Sequence, residues 1–219
     1  QSDIVVGGDM NVRSLTYPQS GGQAAAVRVS GSLTSRNLIS ANGVDGDTGT
    51  NGALLEIGGN LVCDGIQIRG GSATAGNAGN GGGLTTVGTI TLSDDMDASG
   101  GDAIDGDAGN GGSLEAQGDV NSGFTSIRIA GGSAQNGNAG NGGSVSVDGN
   151  FSVNSLDMFG GSCISNNSSH RAGSGGEITI DGSLTANSSV DLDAGYREGT
   201  LVEPGSANPA HGGRLSVYG

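Results

Sequence analysis

The sequence predicts an all-β fold, a single parallel β-solenoid of about seven coils that occupies residues 1–219 as one domain. A unit of two apolar positions separated by one residue, followed two residues later by glycine, recurs eight times. The spacing of the units lengthens from 23 to 37 residues, which predicts a coil that widens toward the C-terminus. Between units, glycine or alanine falls at every third position. Self-similarity of this length is typical of stacked supersecondary units.

The first element of each coil is a strand, because strict alternation of apolar residues gives a strand one buried face. The glycine that closes each unit is expected to supply a positive φ at a corner. The eight units begin at Ile4, Val27, Leu55, Leu84, Leu114, Val145, Ile178 and Leu215.

The second element is another strand that follows the glycine and one short polar residue. Its apolar residues continue the alternation, so its inner face is expected to complete the same narrow core. The residues assigned to this strand are Leu38, Ile66, Ile68, Met96, Ile127, Ile129, Leu156, Met158, Val190 and Leu192.

The third element is a glycine-rich return segment with a period of three. That period indicates polyproline-II geometry, in which one face of a three-residue helix allows another backbone to approach closely. Since the chain has only three prolines, the pattern favours a polyglycine-II layer with sideways hydrogen bonds; flexible Gly/Asn loops are the alternative. The pattern is seen at Gly70, Ala73, Gly76, Gly79 and Gly82, and again at Gly100, Ala103, Gly106, Gly109 and Gly112.

One short motif carries a resemblance. AGNGG at 78–82, 108–112 and 139–143, with AGSGG at 172–176, resembles the glycine-rich repeats of secreted bacterial surface proteins and of phage tail-tip adhesins with polyglycine-II layers. The strand unit is similar to that of right-handed parallel β-helices in filamentous adhesins and autotransporter passengers. The resemblance implies an extracellular structural or adhesive role and transfers no site residues.

Composition excludes several classes of function. The net charge of −14 argues against binding to nucleic acid and to anionic membrane surfaces, both of which need clustered basic residues. The chain has no lysine, which excludes Schiff-base and P-loop lysine chemistry. No apolar stretch approaches the ~20 residues of a membrane-spanning helix. A start at Gln1 without methionine fits a secreted protein whose signal peptide has been removed.

The two cysteines are not expected to form a disulfide. Cys63 and Cys163 fall three coils apart on the repeat, which places their Cα atoms roughly 14 Å apart at ~4.8 Å per strand. A disulfide needs less than ~7 Å between Cα atoms. Cys63 is expected to pack as a small core residue, because the matching position in a later coil is Val153.

Calcium is the one cofactor for which the motifs offer ligands, because acidic and amide side chains alternate in two of the turns and hard cations prefer such oxygen ligands. The spacing matches neither an EF-hand nor the nonapeptide β-roll, which favours solvated polar edges, with no cofactor, over a calcium site. The candidate ligands are Asp45, Asp47, Asn51, Asp105, Asp107 and Asn110.

No residue pattern favours an enzyme. Asp94 with Asp95, or Asp148 with Asp181, offers carboxylates for a polysaccharide-active β-helix enzyme, but Asp148 and Asp181 share one outward position, which a solvated surface row explains more simply. The two histidines, His170 and His211, fall in the longest loops. Ice binding is a further minor alternative, which would need a regular row of Thr or small apolar residues.

The leading hypothesis is an extracellular filament built by head-to-tail stacking of copies. The repeat is expected to place Leu215 and Val217 directly beneath Ile4 and Val6 of another copy, and such a contact propagates without closing. The second hypothesis is an adhesin module that binds a cell-surface glycan or receptor through the long loops 160–176 and 195–213.

Overall fold

The computed structural model describes residues 3–8, 10–11, 25–167, 169–198 and 210–219, and within those ranges every regular element is a β-strand. None of these residues belongs to a helix that could cross a membrane. The strands are β1 (Ile4–Val6), β2 (Met10–Asn11), β3 (Ala26–Val29), β4 (Leu33–Ser35), β5 (Ile39–Ser40), β6 (Leu54–Ile57), β7 (Leu61–Cys63), β8 (Ile66–Gln67), β9 (Gly83–Thr86), β10 (Ile90–Leu92), β11 (Met96–Asp97), β12 (Ser113–Ala116), β13 (Val120–Arg128), β14 (Ser144–Val147), β15 (Phe151–Asp157), β16 (Cys163–Ile164), β17 (Glu177–Ile180), β18 (Leu184–Asp191), β19 (Arg197–Glu198) and β20 (Arg214–Val217).

The strands stack in parallel into two long sheets and one short sheet. A seven-stranded sheet follows the order β20-β17-β14-β12-β9-β6-β3. An eleven-stranded sheet stacks β1, β4, β7, β10, β13, β15 and β18, and the short strands β2, β5, β8 and β11 extend its first four rows. Because the chain alternates between the sheets, it forms a parallel β-solenoid of about six turns. The prediction of an all-β solenoid is confirmed, with a count close to the seven coils expected.

The core lies between the two long sheets. Their inward residues form one continuous apolar cluster that includes Leu55, Leu84 and Leu114 from the seven-stranded sheet and Leu61 and Ile90 from the other. Each of these side chains is at most 1% exposed. The alternation seen in the sequence is therefore the buried face of each stacked strand.

The assignment of Ile4 and Val6 to the first unit of the repeat is wrong. Strand β1 pairs with β4 in the eleven-stranded sheet, with Ile4 opposite Leu33, and not with the seven-stranded sheet that holds the other units. The reason is that the second strand of a coil can carry the same pattern, as Leu61, Cys63 and Gly65 do.

Coil length is therefore more regular than the sequence pattern indicated. Within the seven-stranded sheet, paired positions of neighbouring strands are 28 residues apart at Val27 and Leu55 and 37 apart at Ile178 and Leu215. In each of these coils, the first inward residue of the eleven-stranded sheet lies six residues after the first inward residue of the seven-stranded sheet, as Leu61 lies after Leu55. Between the first and last of these coils the extra residues fall in the glycine-rich segment, from Ile39 to Leu55 in one and from Val190 to Leu215 in the other, whereas the coil that contains β13 gains a residue at the irregularity of that strand.

Two further details differ from the sequence prediction. Ile39, not Leu38, occupies the inward column with Ile66, because the bend after β4 is one residue longer than expected. The turn glycines that we expected at positive φ, such as Gly88 and Gly118, do not adopt it; a Cβ on Gly118 would lie 2.7 Å from the carbonyl carbon of Gly88. Close approach between coils is therefore what requires glycine at this corner.

The cysteines are free, as predicted. Cys63 faces the core with 3% of its surface exposed, while Cys163 is buried in β16 of the short sheet. Burial, followed by the negative charge of Asp64, raises the pKa of the Cys63 thiol to about 12. Burial also raises the pKa of Cys163, against a smaller opposing effect of the Arg197 charge.

Candidate functional site

The glycine-rich segments form an ordered layer beside the two sheets. Each glycine-rich segment has a first and a second half, and each half contributes one column of glycine. Backbone hydrogen bonds join the two columns within a coil and then connect them to the next coil. We call this chain of bonds the glycine zigzag; all are 2.8–2.9 Å long. They run from Gly71 N to Thr50 O, Gly79 N to Gly71 O, Gly101 N to Gly79 O, Gly109 N to Gly101 O, Gly132 N to Gly109 O, Gly140 N to Gly132 O, Gly161 N to Gly140 O, Gly173 N to Gly161 O and Gly195 N to Gly173 O.

The zigzag leaves no room for a side chain. A Cβ built on Gly109 would lie 1.8 Å from the carbonyl oxygen of Gly79, and one on Gly140 would lie 1.8 Å from that of Gly109. Such distances are far inside van der Waals contact, so the period of three in the sequence is a packing requirement. This sideways bonding through extended, glycine-edged segments agrees with the polyglycine-II interpretation rather than with flexible loops.

A ladder of asparagine side chains runs along the outside of this layer. The Oδ1 atom of Asn80 accepts a hydrogen bond of 2.8 Å from the backbone N–H of Asn110, and Asn110 Oδ1 accepts one of 2.9 Å from the N–H of Asn141. The ladder begins at Asn51 and ends at Ser174 N. The sequence interpretation missed it, although the fixed position of asparagine in AGNGG was a usable signal.

The predicted calcium ligands belong to such ladders and are not drawn together into one site. The Oδ1 atoms of Asp45, Asn51, Asp107 and Asn110 each accept a backbone N–H from the next coil at 2.7–2.9 Å. Asp47 accepts from Thr74 Oγ1 at 3.3 Å, and Asp105 from Asn136 Nδ2 at 2.8 Å. No group of three or more His, Cys, Asp or Glu side chains suited to a metal occurs among the residues described. Calcium binding stays a prediction.

The carboxylates considered for catalysis occupy neighbouring positions: Asp94 and Asp95 are consecutive, and Asp148 and Asp181 follow the paired residues of β14 and β17. Asp94, Asp95, Asp148 and Asp181 are exposed. His170 is held within its own loop: its Nδ1 lies 2.8 Å from Ser165 Oγ and its Nε2 lies 3.3 Å from Asn167 Nδ2. With the amide N–H donating to Nε2, Nδ1 carries the ring proton and donates to the serine hydroxyl, so this arrangement does not activate Ser165.

The first and last described rows of both sheets expose apolar side chains. Ile4 is 42% exposed at one end of the eleven-stranded sheet, and Leu215 is 46% exposed at the opposite end of the seven-stranded sheet. Val217 is 43% exposed beside Leu215. The described strand edges at these rows therefore offer apolar surface as well as backbone groups.

One carboxylate in the eleven-stranded sheet has a perturbed pKa. Burial raises the pKa of Asp157, and the negative charges of Asp191 and Asp95 raise it further, against the lowering effect of Arg128. Asp157 lies directly between Arg128 and Asp191 in one outward column of the sheet.

Comparisons with known proteins give no family for the chain: no family model, no curated protein and no solved structure matches it.

Proposed function

We propose that this protein is an extracellular structural protein whose copies stack head to tail into a filament. The observation that supports the proposal is the match between the first and last described rows. Each long sheet has seven rows, and the eleven-stranded sheet begins one row before the seven-stranded sheet and ends one row before it. The steps at the two ends are therefore complementary, and a second copy continues both sheets at once.

The internal register identifies the contacts of such a joint, which differ from those expected from the sequence. The column that starts at Ile4 and Leu33 ends at Leu184, so Ile4 of a second copy lies on Leu184. The column that starts at Val27 ends at Leu215, so Val27 lies on Leu215. Apolar side chains meet apolar side chains at both places, as they do between coils.

The charged residues at the joint do not repel one another. In the same register, Asp191 meets Asn11, and Arg214 meets Ala26. No like charges are placed opposite each other at these positions, which matters in a chain with a net charge of −14. The first and last coils differ in length only in their glycine-rich segments, since Leu33 to Ile39 and Leu184 to Val190 span the same number of residues, so the joint keeps the spacing of the two sheets.

We also propose that the filament is extracellular and that the chain resembles the glycine-rich repeats of secreted surface proteins. Both points are supported by the AGNGG repeat and by the polyglycine-II-like bonding of the layer that contains it. A solenoid braced by a continuous hydrogen-bonded zigzag is a stiff rod, which suits a load-bearing extracellular fibre.

A matched pair of variants tests the stacking. Val217→Lys places a charge at the end row, and Val87→Lys places the same charge on a valine that is 52% exposed on the side of the solenoid. Sedimentation velocity and negative-stain microscopy should show filaments for the wild type and for Val87→Lys, and single particles for Val217→Lys. A monodisperse wild-type monomer at high concentration would overturn the proposal.

An adhesin module is the second candidate. The observation that favours it is Phe124, which is 95% exposed where a register irregularity in β13 pushes the chain outward between Ser122 and Ser126. Aromatic side chains, phenylalanine included, are enriched at protein interfaces. Of the two predicted receptor loops, 160–176 is described except for residue 168, while 199–209 lies outside the described residues. Isolated particles in the microscope would favour this role.

A further inference from the structure

A polar trench runs along the stack where the eleven-stranded sheet meets the glycine-rich layer. Its volume is about 480 Å³, and glycines of successive coils line it: Gly43, Gly70, Gly100 and Gly131. One side carries Arg69, Asp97, Ser99, Arg128 and Phe159, and the other side carries Asp45, Ser72, Asp102 and Ser133. The two sides are three residues of extended chain apart, as Ser99 and Asp102 are, which gives a width of about 9 Å.

The side chains of the trench provide hydrogen-bond donors, acceptors and one aromatic ring. Arg69 Nε lies 3.8 Å from Asp97 Oδ2, and the guanidinium of Arg128 lies 5.2 Å from the centre of the Phe159 ring. Both Arg69 and Arg128 are flexible side chains with N–H groups to offer a ligand.

The unpaired hydroxyl of Ser99 indicates a ligand independently of the shape of the trench. The residue is only 7% exposed, yet its Oγ atom has no hydrogen-bond partner among the residues that the structure describes. Leaving a buried hydroxyl unpaired costs about 1–3 kcal/mol, and such groups call for an explanation. Ser99 lines the trench, so a ligand hydroxyl that reached its Oγ atom would satisfy it.

The backbone of the trench excludes an added peptide strand. The N–H groups of Gly43, Gly70, Gly100 and Gly131 already donate to carbonyl oxygens of the next coil at 2.7–3.0 Å. A peptide would find no free N–H there for a β-ladder, so recognition depends on the side chains along the two sides.

We propose that the trench binds a neutral, extended, β-1,4-linked oligosaccharide lying along the stack axis. Sugar hydroxyls both donate and accept hydrogen bonds, which suits the carboxylates, guanidinium groups and serine hydroxyls of the two sides. The apolar face of a sugar ring packs on Phe159 when Arg128 turns away from it. Both signs of charge are present along the trench, with two arginines and three aspartates, which favours a neutral ligand over a polyanion.

Isothermal titration with cellohexaose, mannohexaose and chitohexaose tests the proposal, and maltohexaose, which is curved, serves as the shape control. At least one extended hexasaccharide should bind with a Kd of about 1 mM or tighter. Arg128→Ala and Phe159→Ala should each weaken binding by about tenfold, while Arg28→Ala, on the seven-stranded sheet, should leave it unchanged.

Ser99→Ala separates a binding role from a structural one. Because its hydroxyl has no partner in the described part of the chain, the substitution should leave the melting temperature unchanged or higher and still weaken binding several-fold. If Phe159→Ala does not fold, the affinities of Ser99→Ala and Arg128→Ala for the hexasaccharides still test whether the trench binds the sugar. Binding is measured in the Val217→Lys protein, so its outcome is independent of stacking.

Three results would overturn the proposal: no binding of any extended hexasaccharide at about 1 mM, equal binding of maltohexaose, or equal affinity in wild type, Arg128→Ala and Ser99→Ala. Binding of an unstructured peptide in the trench, competing with the sugar, would also contradict it.

Discussion

Replacing Gly109 with alanine should break the glycine zigzag at its centre. The new Cβ would lie 1.8 Å from Gly79 O, and ordinary contact begins at 3.4 Å, so the two segments must separate by about 1.6 Å. Hydrogen bonds of 2.9 Å do not survive such a displacement. Three of them meet at this point: Gly101 N to Gly79 O, Gly109 N to Gly101 O and Gly132 N to Gly109 O.

The expected loss of stability follows from these bonds. Each contributes about 1 kcal/mol net, and more when a buried partner is left unpaired, so Gly109→Ala should destabilise the fold by about 4 kcal/mol. For a chain of this size, that corresponds to a fall in melting temperature of about 10 °C. Circular dichroism during heating, supported by urea denaturation, measures the change.

Gly123→Ala is the matched control. A Cβ at Gly123 would meet only Ser152 Oγ, at 3.5 Å, which is ordinary contact. This variant should change the melting temperature by less than about 2 °C. If Gly109→Ala melts within about 2 °C of the wild type, the inference that the zigzag requires glycine is refuted.

Three further predictions concern side chains. Asn110→Ala should destabilise the protein by about 1 kcal/mol in urea denaturation, because Asn141 N loses its acceptor, whereas Asn110→Asp keeps an oxygen there and should restore stability; equal loss in both would contradict the ladder. Because the pKa of Asp157 is raised in the folded state, its charge opposes folding above that pKa, and stability falls as the pH rises from the unfolded toward the folded pKa. Asp157→Asn should therefore be more stable than the wild type at neutral pH and lose that advantage in acid, and a gain that does not vary with pH would contradict the assignment. Cys63, with its pKa raised to about 12, should react with a thiol reagent at pH 8 about a thousandfold more slowly in the folded protein than in urea; rapid labelling of the native protein would contradict its burial.

The fold was predictable because its signals are local and repeated. Alternation at Leu55 and Ile57, and at Leu84 and Thr86, recurs with a phase that only stacked strands explain. The glycines at every third position likewise predicted the polyglycine-II-like layer. Each of them is required because a Cβ there would clash with the backbone of the neighbouring coil.

The errors arose where the two strands of a coil carry the same pattern. Ile4 was assigned to the wrong sheet, because alternation followed by glycine does not say which strand of the coil it belongs to. The contacts proposed for the joint changed with it, from Ile4 on Leu215 to Ile4 on Leu184. The trench was not predictable, because each coil contributes only a short stretch such as Asp97 to Asp102, and the two sides form only when those stretches stack in register.

Helical reconstruction of filaments by electron cryomicroscopy tests the stacking most directly. Seven rows per copy at ~4.8 Å predict an axial repeat of about 34 Å, with Leu184 of one copy against Ile4 of the next and both sheets continuous across the joint. Filaments with another repeat, sheets interrupted at the joint, or protein that remains monomeric would contradict head-to-tail stacking.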